Sequence, residues 1–249
     1  MNIKKLGALL AALVVAAGIG SASASPLVGR DINRNAVAAN DASAVYLWDQ
    51  DLGITWLRDA NVNGVQTWST QVTWAQNLVT GAGANAISNW RLPTVTDYNG
   101  DGCVGIVSVA GGAGTDCGYN VDTSGSEMAH LFYVTLGNLA FCPAGDATCN
   151  NSNGQAGFGL LNVGDFLNMQ SNLYWSGTES APNTSGAWVF STNFGDQYNV
   201  GKGNVLYAMA VRPGDVLAAQ VPEPGSLVLA LTALAGLVRR RRAVGASAL

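Results

Sequence analysis

Apolar segments flanked by basic residues occupy both ends of this 249-residue chain, so only the stretch between them is free to form a globular domain. All seven tryptophans, seven tyrosines and six phenylalanines lie in that stretch, which gives it enough aromatic side chains to build a core. We therefore interpret the two ends as targeting signals and the middle as the folded part of the chain.

Residues 1–24 have the three parts of a secretory signal peptide. Lys4 and Lys5 form the positive region, Leu6 to Ile19 is apolar, and Ala22-Ser23-Ala24 offers the small residues that signal peptidase accepts. As a helix, the 14 residues of the apolar run would span about 21 Å, less than the roughly 30 Å of membrane hydrocarbon. We expect cleavage after Ala24 rather than a transmembrane anchor.

The C-terminal end combines a proline motif, an apolar stretch and a basic cluster. Pro222-Glu223-Pro224 lies in a linker over residues 218–225, and its prolines keep the backbone extended, as a protease groove requires. Residues 226–238 are predicted as a hydrophobic transmembrane helix. The tail 239–249 begins with four basic residues, Arg239, Arg240, Arg241 and Arg242. The positive-inside rule keeps this tail in the cytoplasm and places residues 25–221 outside, in agreement with the signal peptide.

This order of features resembles the PEP-CTERM sorting tail of Gram-negative bacteria. The resemblance implies that the membrane protease exosortase recognises the tail and removes it near Pro222–Pro224. It also implies a transient anchor in the inner membrane and then a place in the cell envelope, outer surface or extracellular matrix, with extracellular polysaccharide as a candidate partner. The alternative for the same segment is an ordinary C-terminal membrane anchor.

Charge excludes nucleic acid as a partner. Between Ser25 and Val221, six arginine or lysine residues stand against fifteen aspartate or glutamate residues, a net charge of −9 that a phosphate backbone would repel. His130 is the single histidine of the chain, which removes most hydrolase and zinc-site schemes. We interpret His130 as a partly buried residue on a helix face and expect no enzymatic activity.

The middle of the chain predicts an α+β domain over residues 44–217, preceded by a lead-in segment over residues 25–43 that lacks periodicity. Helices early and antiparallel strands late favour two helices packed on short twisted antiparallel strands, with long disulfide-closed loops. The predicted elements are a hairpin of Val45–Trp48 and Ile54–Leu57, a helix over 67–79, a second helix capped by Ser124 and Glu127 that ends at Leu136, and strands at Leu173–Ser176, Ala187–Thr192 and Val205–Arg212.

Residues 45–215 also resemble the Lcl C-terminal domain family, named for a bacterial collagen-like adhesin. The fragments that carry the resemblance occur in the family's order: Leu52-Gly53-Ile54-Thr55-Trp56, Trp74-Ala75, Trp90-Arg91-Leu92-Pro93-Thr94, Tyr174-Trp175-Ser176-Gly177-Thr178 and Val211-Arg212. The Arg-Leu-Pro-Thr core is similar to that of the sulfatase-modifying enzymes, which implies a C-type-lectin-like fold. Val95-Thr96-Asp97 departs from the Glu and Trp of those enzymes, and no cysteine follows Cys149, so their catalysis is not implied.

Four cysteines in an exported domain permit three disulfide pairings. The local pairing, Cys103 with Cys117 and Cys142 with Cys149, needs no long-range geometry and closes loops that hold little apolar area. In the chain-entropy model such a cross-link stabilises a 15-residue loop by about 3 kcal/mol. Metal ligation is the alternative, but neither pair has the Cys-x-x-Cys spacing, so we expect two disulfides.

The run from Asp97 to Gly102 has the front half of a calcium loop. Asp97, Asn99 and Asp101 place oxygen ligands at positions 1, 3 and 5, and glycine stands at position 6. Position 12 is Ser108 instead of a bidentate glutamate, so Asp116 or Asp122 would have to complete the shell. The alternative is a turn-rich loop without metal, which we favour, and we expect no other cofactor.

Arg91 and the tryptophans each allow a binding and a structural role. For Arg91 we favour an internal ion pair with a carboxylate such as Asp59 or Asp97 over contact with a ligand. Trp68 and Trp74 lie about 240° apart on a helix, so both cannot point into one buried stripe. One or two tryptophans are therefore candidates for stacking on a sugar.

The sequence predicts a non-enzymatic, exported binding domain of adhesin or polysaccharide-associated type, acting through the loops 97–123 and 141–159. A purely structural surface or matrix protein without a specific ligand is the first alternative. An enzyme of the sulfatase-modifying type is the second, and it is disfavoured by the residues it lacks.

Overall fold

The computed structural model describes residues 27–103, 115–146, 148–149 and 154–217. The predicted signal peptide over 1–24, the motif Pro222–Pro224, the hydrophobic stretch and the arginine cluster all lie outside these residues. No helix within the described ranges is long and apolar enough to cross a membrane.

The described chain folds mainly as β-strands. The elements in chain order are β1 (Leu27–Asp31), β2 (Ala36–Val37), β3 (Ala44–Asp49), β4 (Ile54–Leu57), α1 (Trp68–Asn77), a 3₁₀ turn (Gly83–Asn85), β5 (Gly118–Tyr119), α2 (Glu127–His130) running into a π-helical turn (Leu131–Thr135), β6 (Leu173–Glu179), β7 (Gly186–Ser191), β8 (Asp196–Gly201) and β9 (Val211–Pro213). They form a five-stranded antiparallel sheet, in the order β2-β1-β3-β4-β9, and a four-stranded antiparallel sheet, in the order β5-β8-β7-β6.

The local predictions of helix and hairpin are confirmed. The predicted hairpin forms with Trp48 opposite Thr55, and α1 falls inside the predicted helix over 67–79. β6 and β7 coincide with two of the three predicted late strands. Each of these elements carries its own apolar periodicity, which explains why it could be predicted from local sequence.

The predicted α+β architecture, with two helices packed on strands and a C-type-lectin-like fold, is wrong. α1 has ten residues, and α2 has four before it widens into the π-helical turn, where the Leu136 amide bonds the Leu131 carbonyl. The apolar face predicted for the second helix therefore belongs to a short plug in the core. Two antiparallel sheets form the framework instead.

Strand predictions also failed at both ends of the domain. β1 and β2 lie in the segment 25–43, for which the sequence predicts a lead-in without periodicity. β1 is an inner strand, with Arg30 opposite Tyr46 of β3. The strand predicted over Val205–Arg212 is reduced to Val211–Pro213, because Leu206 and Tyr207 make only isolated bridges to other parts of the chain.

The main core lies between the two sheets. Trp56 from the first sheet and Tyr174 and Phe190 from the second are buried in one cluster, and Phe132 from the π-helical turn packs into the same cluster. Phe132 and Phe190 have ring centroids 5.3 Å apart. The short helical plug therefore fills the space that the sheets leave between them.

Gly195 lies in the β7–β8 turn, where its backbone packs closely against the core. Its φ is +65°, and an added Cβ would lie 2.8 Å from the Ala140 Cα and 2.8 Å from the Phe132 Cε1. Gly53 has almost the same φ, +64°, but an added Cβ would meet nothing within 4 Å. Alanine variants at these two positions therefore distinguish the cost of a left-handed backbone, which both share, from the cost of steric overlap, which only Gly195 has.

We predict that Gly195→Ala destabilises the fold more than Gly53→Ala does. In both variants the left-handed backbone lowers the free energy of unfolding by about 1–2 kcal/mol. Only in Gly195→Ala does steric overlap lower it by about 1–3 kcal/mol more. Urea unfolding with the disulfides intact measures both free energies. Equal decreases in the free energy of unfolding would show that the core around Phe132 rearranges to accommodate the added methyl group, and would contradict the prediction.

Candidate functional site

The segment Trp90 to Thr94 holds the fold together rather than forming an open site. The Arg91 guanidinium makes a bidentate ion pair with Glu127, at 2.6 and 2.7 Å, and not with Asp59 or Asp97 as we had expected. Glu127 also accepts the Thr94 amide at 2.8 Å. The binding interpretation of Arg91 thus loses its main support, because both terminal nitrogens of the guanidinium donate to oxygens of the protein itself.

Glu127 is therefore not part of the predicted capping box with Ser124. Ser126 caps α2 instead, and its hydroxyl oxygen accepts the Ala129 amide at 3.2 Å. The prediction failed because the motif offers two serines two residues apart, and a distant arginine competes for the glutamate. Sequence spacing alone cannot show that competition.

Both predicted disulfides form. Cys103 pairs with Cys117, and Cys142 pairs with Cys149. These bonds use all four cysteines of the chain, so the described residues include no free thiol.

The candidate calcium loop is organised by its own backbone. The Asp97 carboxylate accepts the amides of Asp101 and Gly102, at 3.2 and 3.1 Å. Asp116 and Asp122, which we had considered as completing ligands, bond the Tyr98 amide and hydroxyl. No group of three or more His, Cys, Asp or Glu side chains is placed to hold a metal among the described residues, which do not include Ser108. The geometry favours a hydrogen-bonded turn.

His130 lies half-buried on α2, as the sequence suggested, with its Nδ1 3.5 Å from the Thr135 hydroxyl. None of the described contacts of His130 joins it to an acid, a base or a nucleophile with which it could act in catalysis. It therefore contributes to the helical plug.

The tryptophans of α1 differ in what covers them. The Trp68 indole N–H donates to the Ser176 carbonyl at 2.8 Å, and the Lys202 ammonium lies 4.3 Å from the centre of its ring. Trp74 is half-buried and lines an open groove of about 690 Å³ along α1. We call this concavity the Trp74 groove; its described lining is entirely neutral and consists of Asn63, Ser69, Thr70, Thr73, Trp74, Asn77, Leu78 and Val79.

A second concavity, which we call the aromatic cleft, has about 350 Å³ and is lined by Tyr119, Phe141, Phe194, Asp196 and Tyr198. The register of β5 and β8 places Tyr119 opposite Asp196, and the alternation of β8 puts Tyr198 on the same face. Phe141 comes from the loop 141–159, so one of the two predicted binding loops contributes a wall. Of the described residues of the loop 97–123, only Tyr119 in β5 is among those that line the cleft.

Asp196 is the carboxylate of the aromatic cleft. Its Oδ1 is buried without a hydrogen-bond partner. Burial raises the pKa of Asp196 to about 6, although the Ser191 hydroxyl opposes part of the rise. The ion pairs of the described residues involve other carboxylates: Arg30 with Asp215, Arg91 with Glu127 and Lys202 with Glu179.

Comparison with known protein families identifies the C-terminal segment. Residues 220–242 match the PEP-CTERM protein-sorting motif. The tail is a sorting signal. The chain is therefore an exported protein that exosortase processes and that passes through the membrane on its way to the envelope. No curated protein and no solved structure matches the chain, so the resemblance to the Lcl C-terminal domain family stays a prediction.

The aromatic cleft was missed from the sequence because β8 was missed. We interpreted Phe194 to Asp196 as a turn and did not extend a strand beyond it. Asp196 and Tyr198 are two residues apart and share one face of β8, but Phe194 lies in the turn before the strand, so no single periodicity in the sequence groups the three.

The raised pKa of Asp196 predicts a pH-dependent cost to the fold. The cost is absent below the unfolded value of 3.8, grows as the pH rises towards 6 and is complete above it, because ionisation is penalised only in the folded state. Asp196→Asn should therefore be more stable than the wild type by on the order of 2 kcal/mol at pH 7.5, and this difference should shrink at pH 4. Unfolding at both pH values, with Asp51→Asn on the exposed β3–β4 turn as control, measures it. The same difference at both pH values would contradict the assignment.

Proposed function

We propose that the chain is a non-enzymatic binding domain that holds extracellular polysaccharide in the Trp74 groove after export, in the outer envelope or matrix. The observation that carries the proposal is the half-buried indole of Trp74 in an open groove with a neutral, hydrogen-bonding rim. An aromatic face beside hydroxyl and amide groups suits a pyranose ring, which has an apolar face and hydroxyl edges.

The charges and contacts of the groove support a neutral ligand. Its rim offers the hydroxyls of Ser69 and Thr73 and the amides of Asn63 and Asn77, with no charged side chain among the described lining residues. Trp74 packs on its inner side against core residues of both sheets, which holds the ring in place. The groove therefore needs little ordering on binding.

A non-enzymatic role is supported by the chemistry of the described residues. The four cysteines are paired in disulfides, and the single histidine lies against Thr135. The resemblance of residues 45–215 to an adhesin family also favours binding. The groove lies on α1 rather than on the loops 97–123 and 141–159, so the proposed site differs from the one expected from sequence.

We predict that Trp74→Ala abolishes or strongly weakens selective retention on an array of neutral polysaccharides. The expected loss is at least about fivefold, since an aromatic stacking contact is worth about 1 kcal/mol beyond its buried area. Trp74→Phe should retain part of the binding, and Trp48→Ala, which removes a half-buried indole from β3, should leave it unchanged.

The same array distinguishes the alternatives. Chelation of calcium should have no effect, because the described lining residues of the groove include no carboxylate. A calcium requirement would instead implicate the loop that begins at Asp97. If the folded wild-type protein shows no selective retention, the chain is a structural surface protein without a specific ligand.

We also predict the mass of the processed protein. The species recovered after export should begin near Ser25 and end near Pro222–Pro224, and its cysteines should accept four thiol labels only after reduction. Intact-mass spectrometry with and without reduction measures all three features. A mature species that keeps Arg239–Arg242 would identify the tail as a lasting membrane anchor.

A further inference from the structure

We propose that the aromatic cleft is a second binding site, separate from the Trp74 groove, and that it takes a ligand with a compact ammonium head group. The described lining residues of the two concavities have no member in common. The proposal therefore stands or falls independently of polysaccharide binding in the groove.

The walls of the cleft are aromatic and held in place. The Phe141 ring meets Tyr119 and Phe194 at centroid distances of 6.1 and 5.9 Å. The Phe141 amide donates to the Phe194 carbonyl at 2.7 Å, and the neighbouring disulfide of Cys142 closes the loop. Such rings offer the negative faces that attract a cation, and their fixed positions lower the cost of binding.

The carboxylate of Asp196 favours a ligand of positive charge. It lines the cleft, its Oδ1 lacks a hydrogen-bond partner, and no lysine or arginine is among the described lining residues. An anion would be repelled, and a neutral ligand would leave the carboxylate uncompensated. An ammonium group compensates it and is attracted by the rings, and the net negative charge of the exported part raises the local concentration of cations.

The size of the cleft fits a small head group. About 350 Å³ is at the lower end of the range for small-molecule sites. The exposed ring of Phe194, with 42% of its surface accessible, stands at the cleft and gives a ligand a face to contact on entry. The ammonium group can belong to a free quaternary amine or to an amino sugar, and the experiment below separates these sources.

The test is calorimetric titration of the exported, disulfide-bonded chain with tetramethylammonium and with neopentyl alcohol, a neutral analogue that has carbon in place of the ammonium nitrogen and one added hydroxyl. Tetramethylammonium should bind at least about tenfold more tightly than the alcohol, and Asp196→Asn should weaken it by about tenfold. Asp51→Asn, which removes the same charge from an exposed turn, should leave the affinity unchanged. Equal binding of cation and alcohol, or equal affinities of Asp196→Asn and wild type, would overturn the proposal.

A second pair of ligands identifies the source of the ammonium group. Binding of glucosamine but not of N-acetylglucosamine would indicate an amino sugar, whereas binding of tetramethylammonium alone would indicate a free quaternary amine. Amide shifts in the NMR spectrum should localise either ligand to Tyr119 and Phe194. Shifts confined to the Trp74 groove would overturn the assignment of the site.

The pH dependence provides a readout that does not depend on a substitution. Lowering the pH from 7.5 to 5 should weaken binding of tetramethylammonium, because Asp196 takes up a proton. The titratable groups around it are Tyr119, Tyr133 and Tyr198, and burial raises the pKa of all three, so they stay neutral over this range. Binding that does not change between these pH values would argue against a role for the carboxylate.

Discussion

The segment Trp90 to Thr94 is the constraint on which the two sheets depend, and the ion pair of Arg91 with Glu127 fixes it. The Arg91 backbone exchanges two hydrogen bonds of 2.8 Å with Val211 of the first sheet. Two residues on, the Pro93 carbonyl accepts the Gly177 amide of the second sheet at 2.7 Å. Removing Arg91 would leave the Glu127 carboxylate, whose side chain is only 15% exposed, without its charged partner, so this connection has little tolerance for change.

The positions of both concavities depend on this connection. β6, which Pro93 contacts, supplies the Ser176 carbonyl that holds the Trp68 indole, and α1 then presents Trp74 about one and two-thirds turns later. On the other side, Glu127 begins α2, and the π-helical turn that follows brings the Tyr133 hydroxyl onto the Gly195 carbonyl beside the aromatic cleft. A substitution at Arg91 would therefore alter both concavities, although Arg91 is not among the described lining residues of either.

The parts that could be predicted from sequence are those whose signal is local. The hairpin around Gly53, the helix around Ala75 and the cysteine pairs each follow from residues within about fifteen positions of one another. β8 could not be found in this way, because its sequence from Asp196 to Gly201 is mostly polar and is specified by pairing with β7 rather than by its own alternation. The partner of Arg91 was missed for a related reason: Glu127 is 36 residues away.

Of the two concavities, the Trp74 groove was partly foreseen and the aromatic cleft was not. The 240° separation of Trp68 and Trp74 already required one of them to leave the buried stripe, but only the structure shows that Lys202 and Ser176 cover Trp68. The cleft joins residues from β5, the loop after α2 and β8, so no window of the sequence contains it.

Export and the geometry of the cleft are physically connected. Phe141 precedes Cys142, so the bond from Cys142 to Cys149 adds a covalent restraint to the hydrogen bonds and ring contacts that hold this wall. Such a bond forms and persists in an oxidising compartment, which is where the sorting tail sends the chain. A copy of the chain retained in a reducing compartment would keep its local hairpin and α1, whose contacts need no disulfide, but it would lose the restraint on Phe141. Export, which the sorting tail directs, is therefore also required for the disulfide that helps to hold one wall of the cleft.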